Sequence, residues 1–255
     1  MPDKLELFGI KTPLIRPGDD MGSVLIRSIR DCGLTIMDGD IVVLAESAVA
    51  TAEGRVVDLG TVVPGSEAEE LGEKYAVDPR EMELVLHECE EILGGVPGAV
   101  LTITRGNMSS NAGIDGSNAP EGCVVLLPED PPASAARIRC QLQEAFSCRL
   151  GVIVGDSRTQ PMRLGCVGIA LGCSGLRPVE DARGSKDLFG KELTITCKAT
   201  ADNLMSAAQL IMGEAGESIP AVVVRGNSSV VVDEDVGIPV FTKKECMYYS
   251  NISGE

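Results

Sequence analysis

Apolar positions fall into short runs and helical stripes that alternate along the chain. Residues 41–44 form a wholly apolar run after the turn signal Asp38-Gly39-Asp40, which predicts a buried strand. Residues 99–104, 151–154 and 221–224 predict further buried strands, and residues 193–199 alternate as a half-buried one. Met82, Val85, Leu86, Cys89, Ile92 and Leu93 recur at helical spacing. With Asp78 as N-cap and Pro79 in the first turn they predict a helix, which Gly94-Gly95 should stop. Residues 134–145 predict an amphipathic helix with Ile138 and Leu142 inward, after a stiff connector at 126–132. Asp202 is expected to cap a helix running through Ile211 and ending at Gly213. Residues 105–118 read as a polar loop, and residues 167–175 as a small, apolar stretch with three glycines. Wholly apolar strands mixed with alternating ones predict an α+β fold more than a doubly wound parallel sheet. No internal repeat is visible.

The 255 residues correspond to one large domain or two small ones. Hydrophobic residues make up 44% and charged residues 24%, a globular composition. Acids outnumber bases 38 to 22, for a net charge of −16. No basic stripe offsets that charge, and aromatics are only 3%, so nucleic-acid binding is not expected. Ten acids fall within residues 67–91, where a solvated helical face is the simpler explanation. A bound nucleotide would need its charge neutralised locally, and a divalent metal held by carboxylates is the natural means. No apolar run is long enough to span a bilayer, and the polar N-terminus lacks a signal-peptide core, so a cytoplasmic protein is expected. The nine cysteines include no Cys-x-x-Cys pair and read as thiols, small buried hydrophobes more than metal or redox groups. His87 is the only histidine; it falls off the helical stripe among acids and reads as a surface residue.

Three acids stand apart in small-residue loops. Asp115 lies among Gly, Ser and Asn after a buried strand, Asp156 ends the 152–154 run, and Glu214 follows a helix terminator. With the hydroxyl of Ser157 they would suit a hard divalent ion, although acids in loops are also what solvated turns contain. There is no Walker-type phosphate loop and no Gly-x-Gly-x-x-Gly after a strand.

Several segments, in order from about residue 8 to residue 226, carry a family resemblance. They are Gly18-Asp19-Asp20 after Pro13-Leu14-Ile15, Asp38-Gly39-Asp40, Ala52-Glu53-Gly54-Arg55, Asn111-Ala112-Gly113-Ile114-Asp115-Gly116-Ser117-Asn118, Leu126-Leu127-Pro128-Glu129-Asp130, Asp156-Ser157, Phe189-Gly190-Lys191-Glu192-Leu193, Ala201-Asp202 and Met212-Gly213. On these the chain resembles the coenzyme F420-0:γ-glutamyl ligases, as a divergent paralogue. The resemblance implies an α+β, two-lobed unit over residues 1–245 with a tail at 246–255, and a homodimer. It implies GTP-dependent (or ATP-dependent) amide formation between the carboxylate of an F420-0-like acceptor and L-glutamate, through an acyl phosphate. It implies Mg2+ or Mn2+ held by Asp115, Asp156, Ser157 and Glu214, with Asp115 and Asp156 close enough to share metal. Pro13, Leu14, Ser47, Asn118, Met212, Gly213 and Glu214 fall at its nucleotide- and cofactor-binding positions.

The departures bear on phosphate binding. The family's Thr-Ser-Lys is Ala45-Glu46-Ser47, a second lysine is Thr51, and its His-Gly-Phe is replaced at Arg105-Gly106-Asn107-Met108. Ser47 is neutral and short where an ammonium is usual, so Arg158 or Arg163, with Arg105 as a third candidate, is expected to supply the charge. The alternative is a non-catalytic paralogue that binds nucleotide or a cofactor precursor.

Overall fold

The computed structural model describes residues 4–252; the polar start at 1–3 and the end of the expected tail at 253–255 lie outside the described residues. Helices and sheets are mixed, the α+β class that the sequence predicts. In chain order the elements begin β1 (Glu6–Ile10), α1 (Met21–Asp31), β2 (Ile41–Ala45), α2 (Glu46–Ala52), β3 (Val56–Asp58), α3 (Ser66–Tyr75) and α4 (Pro79–Glu88). They continue with β4 (Glu91–Val96), β5 (Ala99–Thr104), β6 (Asn107–Ser110), β7 (Cys123–Val125), α5 (Pro131–Phe146) and β8 (Gly151–Thr159). The last are β9 (Cys166–Ser174), β10 (Val179–Asp181), β11 (Cys197–Ala199), α6 (Thr200–Met212), β12 (Ala221–Arg225) and α7 (Tyr249–Ile252). The chain divides into two compact units. The first comprises the residues up to Glu53, Pro128–Ser157 and Cys166–Pro239; the second comprises Gly54–Leu127, Arg158–Gly165 and the residues from Val240 onward.

The first unit is built on a five-stranded sheet in the order β1-β12-β2-β8-β9. β2 and β8 are parallel, whereas β12 is antiparallel to both β1 and β2. Val42, Leu44, Val152, Val154, Ala221 and Val223 face one layer, packed with Leu25 and Ile29 of α1 and Ile138 and Leu142 of α5. Ile41, Val43, Ile153, Val222 and Val224 face the other, with Leu204, Met205 and Ala208 of α6. Burial on both faces explains why these strands read as unbroken apolar runs. In β9 the small residues admit close neighbours: a Cβ at Gly168 would lie 2.8 Å from the Met205 backbone, and one at Gly172 would lie 2.4 Å from Pro132 N.

The second unit pairs β3 with β7 and places β4, β5 and β6 in an antiparallel sheet. Its core joins Ala68, Val77, Met82, Val85, Val100, Ala112, Ile114, Val124 and Leu126. Beyond Val240 the chain stays within this unit. Tyr249 is buried and its hydroxyl donates to Glu91 Oε2 at 3.1 Å, while Lys243 pairs with the same carboxylate.

Several expectations need correction. The helix from Pro79 ends at Glu88, because Ile92 and Leu93 belong to β4; Gly94 at φ 154° there makes a bulge against β5, not a stop. The polar loop at 105–118 contains β6, closed by a tight turn with both Arg105 and Gly106 at positive φ. Pro131 and Pro132 of the connector form the first turn of α5, with Asp130 accepting from Ala133 N as N-cap. Residues 193–199 are strand only at Cys197–Ala199, and Ile195 is 87% exposed, since the partner strand β10 is equally short. Asp202 lies inside the first turn of α6, and its carboxylate accepts from Ala170 N on β9 at 2.9 Å. All nine cysteines are thiols, but they are not the buried hydrophobes expected: only Cys173 is buried, where burial pushes its thiol up to about 12, while Cys32, Cys140, Cys166 and Cys197 are exposed and the other four half-buried. His87 is exposed, hydrogen-bonded to Glu83 at 3.1 Å. Among the described residues no helix is long and apolar enough to cross a membrane.

Arg139 on α5 is 7% exposed and fastens the segment after β12. Its guanidinium donates to the carbonyls of Leu150 at 3.1 Å and Val232 at 3.3 Å, and to Asp235 Oδ1 at 3.3 Å. Asp235 also accepts from Ser174 Oγ at 2.6 Å and Gly175 N at 3.1 Å. Arg139→Met should therefore cost about 2–3 kcal/mol, moderated because the Asp235 side chain is 56% exposed. Gly175→Ala should cost roughly 2 kcal/mol, since its Cβ would lie 2.2 Å from Arg139 Nε at φ 72°. Both changes should lower the urea midpoint; an unchanged midpoint for Arg139→Met would contradict the fastening role.

Candidate functional site

In the first unit the candidate residues gather at one edge of the sheet. Pairing of Ile10 with Ala221, Ala221 with Leu44, and Ala45 with Gly155 sets the carboxyl ends of β1 and β2 and the middle of β8 beside the amino end of β12; Asp156 does not end its strand as expected, because β8 runs on to Thr159. Thr12 N donates to the Ser218 carbonyl at 3.0 Å, which holds the exposed Pro13-Leu14 step beside the 213–220 segment. Ala45 N donates to the Pro220 carbonyl at 2.9 Å. Glu46 and Ser47 begin α2 directly after β2, and Asp156 and Ser157 follow the residue paired with Ala45. The carboxyl ends of adjacent parallel strands are where α/β sheets place polar groups for ligands, because the strand interiors are filled by the core.

Strand alternation separates the adjacent pair on β8. Ser157 continues the α6 side, where its hydroxyl donates to Glu214 Oε2 at 3.0 Å. Gln209 on α6 donates to the other oxygen of the same carboxylate. Asp156, half-buried, continues the side of Val152 and Val154. Met212 is a core residue, and Gly213 ends α6 at φ 74° and turns the chain toward Glu214. Asp156, Ser157 and Glu214 offer oxygen donors only, the donor class that suits Mg2+ or Mn2+. Among the described residues, no group of three or more His, Cys, Asp and Glu side chains is gathered for a metal ion.

Asp115 and Asn118 belong to the second unit. The backbone of Asp115 exchanges both hydrogen bonds with Val125, at 3.1 and 2.8 Å. Its exposed carboxylate accepts from Ser117 N at 2.9 Å. Asn118 is exposed at φ 57° in the turn that follows. Asn111 Oδ1 accepts from Val100 N at 2.9 Å, and its Nδ2 donates to Glu81 Oε1 at 3.2 Å. Burial, and then the Asp78 charge, raise the Glu81 carboxyl above its ordinary range; the Asn111 bond opposes the shift and the Asp115 charge adds to it. Glu81 carries no signal in the sequence beyond its place in an acid-rich stretch.

The candidate arginines differ in setting. Arg158 is 7% exposed and donates to the Met108 carbonyl at 3.2 Å. Arg105 lies 3.7 Å from Glu88, whose two carboxylate oxygens also accept from Arg55 at 2.8 Å. Arg163 stands exposed, its amide bound to the Gln160 carbonyl at 3.1 Å. Other resemblance-bearing residues are structural: Glu53 accepts from Ser134 and Arg137, and Arg55 Nε donates to the Leu127 carbonyl at 3.0 Å. Asp40, 1% exposed, takes a fork of bonds from Arg225 at 2.8 and 2.6 Å, at the opposite edge of the sheet.

The sequence model of the family described as F420-0:Gamma-glutamyl ligase matches residues 9–226. A curated protein of Methanothermobacter thermautotrophicus, named coenzyme F420:L-glutamate ligase, is 41% identical over 224 residues, covering 87% of this chain and 89% of its own length. Proteins of the same name from Methanopyrus kandleri and Methanocaldococcus jannaschii are 42% and 40% identical, covering 83% and 88% of this chain and 82% and 88% of theirs. Matches of this identity and extent settle the family, and the chain belongs to the F420-0:γ-glutamyl ligases.

Proposed function

We propose that this chain ligates L-glutamate to the carboxylate of an F420-0-like acceptor, using GTP or ATP with Mg2+ or Mn2+. The observation that carries the reading is the gathering of Pro13-Leu14, Glu46-Ser47, Asp156-Ser157 and Glu214 at one sheet edge, in a chain whose curated relatives are named for this ligation. Those identities over most of the chain favour the enzyme over a non-catalytic paralogue.

A carboxylate does not condense with an amine near neutral pH. Transfer of the γ-phosphoryl group to a carboxylate oxygen gives an acyl phosphate and the nucleoside diphosphate. The glutamate amine then attacks the acyl carbon, loses a proton and expels inorganic phosphate. Negative charge spreads over the phosphoryl oxygens in the first step, so a nearby cation supplies most of the stabilisation. A bound divalent ion would neutralise that charge. Asp156, Ser157 and Glu214 would hold it in the first unit; Asp115 in the second is the further carboxylate whose share in cation binding the variants below measure. Asn118 and the Pro13-Leu14, Met212-Gly213 and Ser47 positions are assigned to nucleotide and acceptor. Ser47 lacks the reach and charge of a lysine, so one of Arg105, Arg158 and Arg163 takes the phosphate.

Thermal-shift measurement with GTP or ATP, each with Mg2+ or Mn2+, tests the site. A ligand that binds the native state raises Tm with concentration, and Asp156→Asn and Asp115→Asn should each remove most of the metal-dependent part. A wild-type protein unmoved by any nucleotide–metal pair would sink the reading. Among Arg105→Ala, Arg158→Ala and Arg163→Ala, at least one should weaken GTP binding in Mn2+ about ten- to hundredfold, the effect of losing roughly 1.5–3 kcal/mol. Three unchanged Kd values would rule out an arginine as the substitute for lysine.

The chain is also proposed to be a homodimer. Leu188 and Phe189 are 101% and 95% exposed at the tip of the hairpin that extends β10 and β11. The tip is nevertheless ordered, with Asp187 Oδ1 accepting from Phe189 N at 2.8 Å and Lys191 N at 2.9 Å. This exposed apolar pair is the surface that the proposal assigns to the contact between the two copies. Light scattering should give twice the 26.7 kDa chain mass, and the double change Leu188→Asp, Phe189→Asp should give the monomer. A wild-type monomer would refute the proposal.

A further inference from the structure

Asn111, Ala112 and Gly113 take left-handed conformations in succession, at φ 46°, 56° and 77°. Such a run is unfavourable for the two residues that carry a Cβ, so neighbouring groups must hold it in place. Ala112 N donates to Thr102 Oγ1 at 3.1 Å, and the Ala112 methyl is buried in the core of the second unit. Asn111 is engaged at both ends of its amide. Val100 N can only donate, so it takes the amide oxygen and turns the NH2 toward Glu81. Glu81 is in turn fixed by the start of α4, where Asp78 accepts from Arg80 N at 2.9 Å and Pro79 presets the first turn. Ile114 N then closes on the Asn111 carbonyl at 2.9 Å, and the next residue is Asp115, bridged to Val125.

We propose that Glu81 is a positioning residue: by clamping Asn111 it holds the left-handed turn that presents the Asp115 carboxylate. The inference deepens the proposed function and rests on the reading that Asp115 takes part in divalent-cation binding. One anchor, the Val125 bridge, fixes the Asp115 backbone on its far side; the Glu81–Asn111–Val100 chain fixes the approach to it. Loss of the clamp leaves the bridge in place and frees the turn, so the carboxylate loses its fixed direction while the sheet persists.

The test reverses the polarity of the clamp in the full-length protein, with Mn2+ alone as the probe, read by the paramagnetic resonance of the unbound ion, and with amide hydrogen exchange as a readout independent of metal. Asn111→Asp keeps the acceptor for Val100 N but sets an anion against Glu81. It should weaken Mn2+ binding at least about fivefold and quicken exchange across residues 111–115 about tenfold or more, with β4, β5 and β6 unchanged. Adding Glu81→Gln supplies a donor to the introduced acid and should restore both readouts to within about twofold of wild type. If Asn111→Asp alone does not fold, a folded, Mn2+-binding double variant is the same rescue. A double variant no better than Asn111→Asp overturns the proposal. Asp115→Asn separates the two readings: if it abolishes Mn2+ binding while Asn111→Asp has no effect, the positioning role alone fails. If Asp115→Asn leaves Mn2+ binding unchanged, the cation role of Asp115 fails and the positioning role falls with it.

Discussion

The parallel pairing of β2 with β8 is the constraint on which the first unit depends. Over their paired stretch, 41–45 with 151–155, the two strands are buried on both faces, so a polar side chain there would be an unpaired buried group. Polar residues therefore begin beyond that stretch, at Glu46 after β2 and at Asp156 within β8. The register that pairs Ala45 with Gly155 then decides that Glu46-Ser47 and Asp156-Ser157 emerge together. A slip of one residue would turn Val152 and Val154 toward the α6 layer and Ile153 toward α5, exchanging every core contact of the strand. The core thus fixes the site's backbone.

Much of this arrangement is legible from the chain. The apolar runs at 41–44, 99–104, 151–154 and 221–224 are strands because continuous apolarity suits double-sided burial. Asp78-Pro79 opens α4, because cap and proline chemistry are local. What fails is whatever tertiary contact overrides locally. Ile92 and Leu93 satisfy helical spacing, yet hydrogen bonding to β5 draws them into a strand with a glycine bulge. Asp202 has the composition of a cap but serves a backbone amide on β9, a partner 32 residues away. Arg139 resembles any polar residue of an amphipathic helix, and only the arrival of residues 232–235 makes it a buried cation.

The segments that carry the family resemblance divide into two kinds. Asp38-Gly39-Asp40 closes the far edge of the sheet, with Asp38 Oδ1 accepting from Arg149 N at 2.7 Å and Asp40 paired to Arg225. Glu53 and Arg55 fasten, respectively, the start of α5 and the end of the 126–127 segment. These are scaffold residues, distinctive because each needs one side chain at one place in the fold. Asp115, Asp156, Ser157 and Glu214 are held by the backbone and yet present oxygen atoms at half-buried or exposed positions. That difference, firm backbone with oxygens at half-buried or exposed positions, sets these candidate residues apart from the scaffold residues better than the motifs containing them do.

Charge gives the same division a direction. At −16 the chain repels polyphosphate, and the arginines that could offset this are largely held by the protein's own acceptors. Arg139 is held by carbonyls and Asp235, Arg225 by Asp40, Arg55 by Glu88, and Arg158 donates to the Met108 carbonyl. Withdrawing any of them to meet a phosphate would leave a buried or half-buried acceptor unpaired, a loss comparable to the stabilisation that the new phosphate hydrogen bond brings. A divalent ion, on the proposed reading, would bring its own charge, and at Glu214 it would replace the bonds from Ser157 and Gln209. On the proposed reading, a neutral Ser47 would place more of the phosphate's neutralisation on metal than on side chains, and ligation would then depend on the geometry of the oxygen-bearing turns.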